Sequence, residues 1–225
     1  GWRCALRGCL LKRGNSFPLG LHSLSETMRR RDAFASLNRI FAASQWMKRQ
    51  LILNGMLDEQ IEIIPPVSDS ETTGDAHVVI SERRILFVGQ LLMGKGVDLL
   101  LTACAGLIGD WRLDVVGDGV NEKQFKSDSE KLKIANRVTF YGRVDHQRVA
   151  DFYRHAAVVA VPSRWAEPFG MVGIEAMRQG KPVVAFNVGG IPDWCENEKN
   201  GLLCEPSDPL SLRSALQRLL DSPET

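Results

Sequence analysis

The sequence predicts an α/β fold, a Rossmann-like doubly wound parallel sheet preceded by a partial N-terminal segment. Three observations carry that expectation. From Val78 onward, short apolar strands alternate with helical stretches, the order that builds a parallel sheet with right-handed crossovers. The strand candidates at residues 85–89 (ILFVG) and 113–117 (LDVVG) are almost unbroken apolar runs, as expected when helices cover both faces of a sheet. Residues 162–184 (PSRWAEPFGMVGIEAMRQGKPVV) read as a polar loop, then a helix, then the entry to a buried strand.

In chain order, the first twenty residues contain no clear strand and read as a piece cut from something larger, with turn signals at Gly14-Asn15 and Pro18. Residues 23–39 read as a helix, because Ser23 and Glu26 have capping-box spacing and Leu24, Met28, Phe34 and Leu37 give an uneven apolar face. A strand at 40–43 follows, then a helix at 45–53 capped by Ser44 and ended by Asn54-Gly55. A strand at 61–64 stops at Pro65-Pro66. The polar stretch 68–76 (SDSETTGDA) lacks periodicity and marks the expected boundary, giving units 1–76 and 77–225. Beyond it, helices are expected at 97–107, 121–135, 147–155 and 209–220, the last burying Leu210, Leu212, Leu216, Leu219 and Leu220. Further strands are expected at 138–141, 157–161, 183–186 and 201–204. In such sheets ligands bind at the carboxyl ends of the strands.

Composition narrows the function classes. The apolar fraction of 44% and charged fraction of 24% are those of an ordinary globular protein. No apolar run reaches the roughly 18–20 residues of a membrane span, and no cleavable signal peptide is legible. Five scattered cysteines suit free thiols in a reducing cytosol, so a cytoplasmic location is expected. Charge is uneven: residues 1–50 hold ten Lys/Arg against Glu26 and Asp32, while the remainder holds eighteen against twenty-five acids. The basic part suits an anionic membrane surface, which would place the protein peripherally at the inner face, or a phosphorylated acceptor. Its aromatics fall mainly at helix-core spacing, so nucleic acid is not an expected partner. No His-Glu-x-x-His, paired Cys-x-x-Cys or Asp-x-Asp offers metal ligands, so no metal cofactor is expected.

The chemistry concentrates in 162–184. Pro168 can open a helix, since its missing N–H lies among donors without intrahelical partners. The amides of Gly170, Met171 and Val172 would then point out of the helix N-terminus, where aligned peptide dipoles favour a phosphate. Glu167 precedes the helix and Glu175 lies about a turn and a half inside it. Two carboxylates accepting hydroxyls on either side of a diphosphate describe a nucleotide sugar as ligand.

The run E-P-F-G-x-x-x-x-E-A-M-x-x-G-x-P-V-V, residues 167–184, resembles the E-x7-E signature of retaining glycosyltransferases of the GT-B fold, family 4. The likeness covers most of residues 85–220 and implies the C-terminal, donor-binding half of a GT-B enzyme with the end of its N-terminal acceptor domain in front. It implies transfer of a hexosyl group from a nucleotide diphosphate sugar to a hydroxyl of a glycan or lipid-linked acceptor, with retained configuration and no cofactor. An isolated chain of this kind should bind donor and transfer little.

The remaining motifs fit that scheme. The loop Gly89-Gln90-Leu91-Leu92-Met93-Gly94-Lys95-Gly96 leaves the first strand and opens a helix, and Lys95 can neutralise a departing diphosphate. The family usually has Gly-Arg where Gly89-Gln90 stands, so one half of the expected phosphate clamp lacks charge. Gly117 and Gly119 read as a turn lining the nucleotide pocket; the third glycine of a dinucleotide fingerprint is absent, Glu122 standing there. Arg143 and Val144 follow the third strand, where the resemblance implies contacts to the base. Glu167 is expected on donor-sugar hydroxyls, with the amides of 169–172 and Pro168 beside it. Glu175 is expected on the ribose diol, since a carboxylate accepts from two hydroxyls at once. Trp165 and Phe169 are candidates for walling the sugar pocket. Lys95 and Glu167 are thus the catalytic candidates. Donor-binding candidates are Gly89, Gln90, Gly117, Gly119, Arg143, Val144, Pro168, Phe169, Gly170, Met171, Val172 and Glu175. Two other readings stand beside this one: a non-catalytic nucleotide-binding or scaffold module, favoured by Gln90, and a GT-B UDP-sugar epimerase, which lacks the E-P-F-G…E-A-M run.

Overall fold

The computed structural model describes residues 24–67 and 83–222, together with Leu11–Lys12 and Gly20–Leu21. The chain divides into two compact units, residues 1–64 and 65–225. The expected boundary stretch 68–76 lies outside the described residues, as do Ser23 and its cap.

In the first unit, strands β1 (Leu11–Lys12) and β2 (Gly20–Leu21) pair antiparallel. These two-residue strands are too short to leave a periodic signal. Helix α1 (Leu24–Ala35) ends four residues before the expected stop. Its expected apolar face is not buried: Met28, Phe34 and Leu37 are all exposed. At 100° per residue, positions 28 and 34 lie far apart around the helix, and Leu37 lies beyond its end, so no single stripe forms. Strands β3 (Ile40–Ala42) and β4 (Ile61–Ile63) pair parallel, joined through α2 (Gln45–Leu53). Ser44 caps α2 as expected, accepting from the Met47 amide at 3.1 Å. Ile40, Ala42, Met56 and Ile61 form this unit's small core.

The second unit is a six-stranded, wholly parallel sheet. Its strands are β5 (Arg84–Val88), β6 (Arg112–Val116), β7 (Val138–Gly142), β8 (Val158–Val161), β9 (Val183–Phe186) and β10 (Gly201–Cys204). Their spatial order is β7-β6-β5-β8-β9-β10. Numbered within the unit this is 3-2-1-4-5-6, the doubly wound arrangement, and the order reverses between β5 and β8. Right-handed crossovers on either side of that reversal put helices on opposite faces.

The helices are α3 (Val97–Ala105), α4 (Glu122–Lys131), α5 (His146–His155), α6 (Met171–Arg178) and α7 (Pro209–Asp221). Alternation along the strands sends Ile85, Phe87, Leu113, Val115, Val158, Ala160, Val184 and Phe186 into one core with Leu100, Leu101, Phe125, Leu212 and Leu216. The expected buried face of α7 holds except at Leu210, which is 61% exposed one residue into the first turn. Helix α4 stops short of residue 135: Lys133 adopts φ 59°, a left-handed conformation that ends the helix, and a single 3-10 turn, Ala135–Arg137, follows. Among the described residues no helix is long and apolar enough to cross a membrane.

Candidate functional site

The carboxyl ends of β5 and β8 flank the point where strand order reverses, and the loops leaving them meet there. The amides of Arg164 and Trp165 both donate to the Gly94 carbonyl, at 2.9 and 3.2 Å. A Cβ on Gly94 would lie 1.9 Å from the Trp165 ring, so this glycine lets the indole cross the β5 loop. At Gly96, φ 73°, a Cβ would fall 1.8 Å from the Pro162 carbonyl oxygen. The loops are therefore seated backbone on backbone, and that seating brings Lys95 to Glu167. Their Nζ and Oε1 are 2.6 Å apart, with the Glu167 side chain only 12% exposed. Ser163 donates its hydroxyl to the same Oε1 at 2.5 Å. Among the described residues no group donates to Oε2 of Glu167.

The β8 loop corrects one expectation. Helix α6 begins at Met171, not near Pro168. Gly170 has φ 89° and ψ 57°, a left-handed conformation outside the helical region, so Pro168 and Phe169 form a bend before it. No side chain caps this helix, and its first turn opens with Gly173 donating to the Gly170 carbonyl. Gly173 has a role in packing. A Cβ there would sit 2.0 Å from the Trp194 ring, so its lack of a side chain is explained by packing inside the fold. Trp194 also donates its indole N–H to the Phe169 carbonyl, and the Gly190 amide donates to the Glu167 carbonyl at 2.8 Å. The loop after β9 thus holds the strand-to-helix turn from below. Phe169 is buried, whereas Trp165 is 56% exposed.

Gly89, Gly117 and Gly119 come together at the ends of β5 and β6. A Cβ on Gly117, φ 132°, would meet the Gly89 carbonyl oxygen at 1.9 Å, and one on Gly119 would meet that of Leu91 at 2.4 Å. Asn121 completes the lacing: its amide donates to the Leu91 carbonyl and its side-chain Oδ1 accepts from the Met93 amide at 3.1 Å. Gln90 is exposed beside these turns. Arg143 and Val144 lie just past β7, whose Gly142 carbonyl accepts from the Gly117 amide at 2.9 Å; Arg143 is exposed.

Glu175 is not joined to the Lys95–Glu167 pair. Its Oε2 accepts from the hydroxyl of Tyr153, on α5, at 2.9 Å. Tyr153 is 3% exposed, and burial, reinforced by the Glu175 carboxylate, pushes its phenol well above the ordinary range, so it remains a donor.

Three participants escape a reading of the sequence: Tyr153, Ser163 and Arg164. Arg164 bridges the loops, donating to the Asp98 carboxylate and, at 3.2 Å, to the Met93 carbonyl. Ser163 lies four residues before Glu167, a local signal that could have found it; the other two act across 22 and 66 residues.

Two cavities lie elsewhere. One of about 490 Å3, lined by Gly180, Lys181, Pro182 and Gly201 among others, sits at the amino ends of β9 and β10. Another, of about 310 Å3, is lined by Arg84, Asp114, Tyr141 and residues of α5. Neither includes Lys95, Glu167 or Glu175. Among the described residues no three His, Cys, Asp or Glu side chains are grouped to hold a metal. Cys104, Cys195 and Cys204 are buried free thiols; Cys4 and Cys9 lie outside the described residues.

Residues 76–225 match the family described as "Glycosyl transferases group 1". The chain is 30% identical over 212 residues to a D-inositol 3-phosphate glycosyltransferase of Acidothermus cellulolyticus, covering 84% of this chain and 47% of that protein. It is 31% identical to an uncharacterized glycosyltransferase of Methanocaldococcus jannaschii, covering 96% and 62%. It therefore spans about half the length of the first of these relatives and less than two thirds of the second. Among solved structures it resembles sucrose-phosphate synthase from Thermosynechococcus elongatus, with TM-score 0.76, 29% identity, and coverage of 89% and 53%. The Anabaena protein Alr3699/HepE, solved with UDP and glucose, shares the fold at TM-score 0.77, 24% identity, and coverage of 89% and 58%. The six-stranded sheet and its helices match the C-terminal Rossmann-like half of the GT-B fold.

Proposed function

The chain belongs to the glycosyl transferases of group 1, and from that premise we propose that it supplies the donor-binding half of a retaining family 4 enzyme. The reaction moves a hexosyl group from a nucleotide diphosphate sugar to a hydroxyl of a glycan or lipid-linked acceptor. The observation that carries the reading is the Lys95–Glu167 pair at the strand-order reversal, three residues before the uncapped turn at Gly170. Relatives named as D-inositol 3-phosphate glycosyltransferases, and a structural neighbour solved with UDP and glucose, support the donor class.

In this scheme the diphosphate rests on the amides of Gly170, Met171 and Val172, with Phe169 and Pro168 shaping the turn. The bond from the anomeric carbon to the β-phosphate oxygen breaks, and its electron pair leaves with the nucleoside diphosphate. Lys95 stabilises the charge that builds on that oxygen. Glu167 receives donor-sugar hydroxyls through Oε2 while Ser163 holds Oε1. The acceptor oxygen joins the anomeric carbon from the departing side, keeping the configuration, and its proton passes to the departing phosphate. Glu175 takes the ribose diol, and Arg143 and Val144 border the base. Gly89, Gly117 and Gly119 let the neighbouring turns come close enough to close the pocket wall. No metal is required, since the helix terminus and Lys95 provide the positive charge. The protein acts in the cytoplasm, peripherally at the inner membrane face through its basic first fifty residues.

Isothermal titration with UDP, GDP and ADP, against the matching monophosphates, tests the reading. Preference for one diphosphate that falls with Lys95→Met supports it, and equal binding of di- and monophosphate counts against it. A second reading, a nucleotide-binding module without transfer, is favoured by uncharged, exposed Gln90. Gln90→Arg in an enzyme with a complete acceptor domain separates the two: faster transfer supports the enzyme, and no transfer by either form supports the module.

A further inference from the structure

Glu175 leaves helix α6 one turn below its N-terminus, and nothing on α6 itself fixes its side chain. The group that does so comes from another helix. The Tyr153 hydroxyl reaches from α5 to within 2.9 Å of Glu175 Oε2, and stands 3.4 Å from the Val172 carbonyl oxygen in the first turn of the same helix. A phenol has one proton, and the shorter contact, to the charged acceptor, is the one that takes it. Tyr153 is itself buried, and the last turn of α5 is held from below. Lys181, 4% exposed in the turn between α6 and β9, donates its Nζ to the Arg154 carbonyl at 2.8 Å. The α5 and α6 helices are thereby tied at two points, one of which is the carboxylate assigned to the ribose.

We propose that Tyr153 is a positioning residue that occupies one oxygen of Glu175 and so aims the other, Oε1, at the ribose hydroxyls of the nucleotide. Among the described residues no group donates to Oε1. A carboxylate pinned at one oxygen loses the freedom to swing away from the ligand, so less is lost on binding. The inference rests on the reading of Glu175 as the ribose ligand. Its consequence is selectivity: the protein should tell a ribonucleotide from its 2′-deoxy counterpart, and that ability should pass through Tyr153.

The test is a double-mutant cycle on the full 225-residue chain with Tyr153→Phe, Glu175→Ala and the pair, titrated with UDP, GDP and ADP and their 2′-deoxy forms. The ratio of the two affinities is read on one sample, so a loss of folded protein does not move it. The wild type should favour the ribose form by about tenfold, and Tyr153→Phe should reduce this to about twofold, a loss of about fivefold, on the scale of one net hydrogen bond. Adding Tyr153→Phe to Glu175→Ala should change the ratio no further. If Glu175→Ala abolishes the preference while Tyr153→Phe keeps it whole, the positioning role is overturned and the ribose assignment stands. If the wild type shows no preference, the ribose assignment itself falls, and the inference with it.

Discussion

The ammonium of Lys95 and the carboxylate of Glu167, 72 residues apart in sequence, meet at 2.6 Å where the sheet reverses its strand order. Neither loop reaches this arrangement alone. It depends on the Gly94 carbonyl accepting two amides from the β8 loop and on Gly94 having no side chain beneath Trp165.

Removing the cation should separate the two halves of a nucleotide ligand. Lys95→Met should weaken binding of the preferred nucleoside diphosphate by about 1.5–3 kcal/mol, the scale of a charge-assisted hydrogen bond, and leave the free nucleoside unaffected. Calorimetric titration of both ligands checks it. An equal loss for nucleoside and diphosphate would mean that Lys95 supports the loop and not the phosphate.

The glycines of the paired loops should resist even the smallest addition. Gly94→Ala and Gly117→Ala place a methyl within 1.9 Å of the Trp165 ring and of the Gly89 carbonyl oxygen, respectively. Each should cost about 1–3 kcal/mol of stability through forced displacement. Gly180, whose Cβ would meet nothing within 4 Å, makes a control that isolates the cost of its φ of 66°. Urea unfolding curves measure all three; Gly117→Ala, which carries both a positive φ and the contact, unfolding no more easily than Gly180→Ala would contradict the close approach.

Truncation in the shared core should be expensive. Leu216 on α7 is fully buried between helix and sheet, and Leu216→Ala should cost about 2–5 kcal/mol. Leu210→Ala on the same helix, at 61% exposed, should fall within about 0.5 kcal/mol of the wild type. Paired unfolding curves decide whether α7 faces the sheet as described.

Thiol chemistry gives a pH test. Burial raises Cys195 and Cys204 to about 11, while an unfolded thiol titrates at about 8.5. At pH 8 both therefore stay almost wholly protonated in the folded protein, and the thiolate is the reacting form. Iodoacetamide labelling at pH 8, mapped by peptide mass, should leave Cys104, Cys195 and Cys204 unmodified until denaturant is added. A depressed thiolate proportion also means that, between those two values, the unfolded state releases protons the folded state keeps, so these thiols make stability fall as pH rises from about 8.5 towards 11. Rapid native labelling of Cys195 would contradict its burial.

Metal independence is checked by titrating the preferred diphosphate with and without EDTA. Affinity should be unchanged; a loss restored by a divalent cation would assign part of the phosphate charge to a metal.

The strands of the second unit were legible because each is a short run of apolar residues between turn signals, and their limits shift by a single residue. Helix ends were less so. Pro168 has the right chemistry for a first helical position, yet Gly170, with φ 89°, delays α6 to Met171, and nothing local in the sequence distinguishes the two starts. Residues 132–135 (LKIA) keep helical composition, and only the left-handed turn at Lys133 ends the helix. Within the site, Lys95 and Glu167 were each readable from their own loops, but their direct pairing was not. Gly117 and Gly119 read as a turn in the sequence, but what Gly94, Gly117, Gly119 and Gly173 each pack against is not local information. The structure answers with the Trp165 ring, the Gly89 and Leu91 carbonyls and the Trp194 ring. Tyr153 gave no signal, because its place beside Glu175 exists only once α5 and α6 lie side by side.

The most direct test is an amide nitrogen–proton NMR titration of the isotopically labelled chain with UDP, GDP and ADP. For the nucleotide that binds, the account expects the largest shifts at Gly170, Met171 and Val172, with accompanying changes at Lys95 and Glu175. Binding that leaves those three amides unmoved, while shifting residues around the cavities lined by Lys181 or by Arg84, would place the phosphate elsewhere and contradict the account.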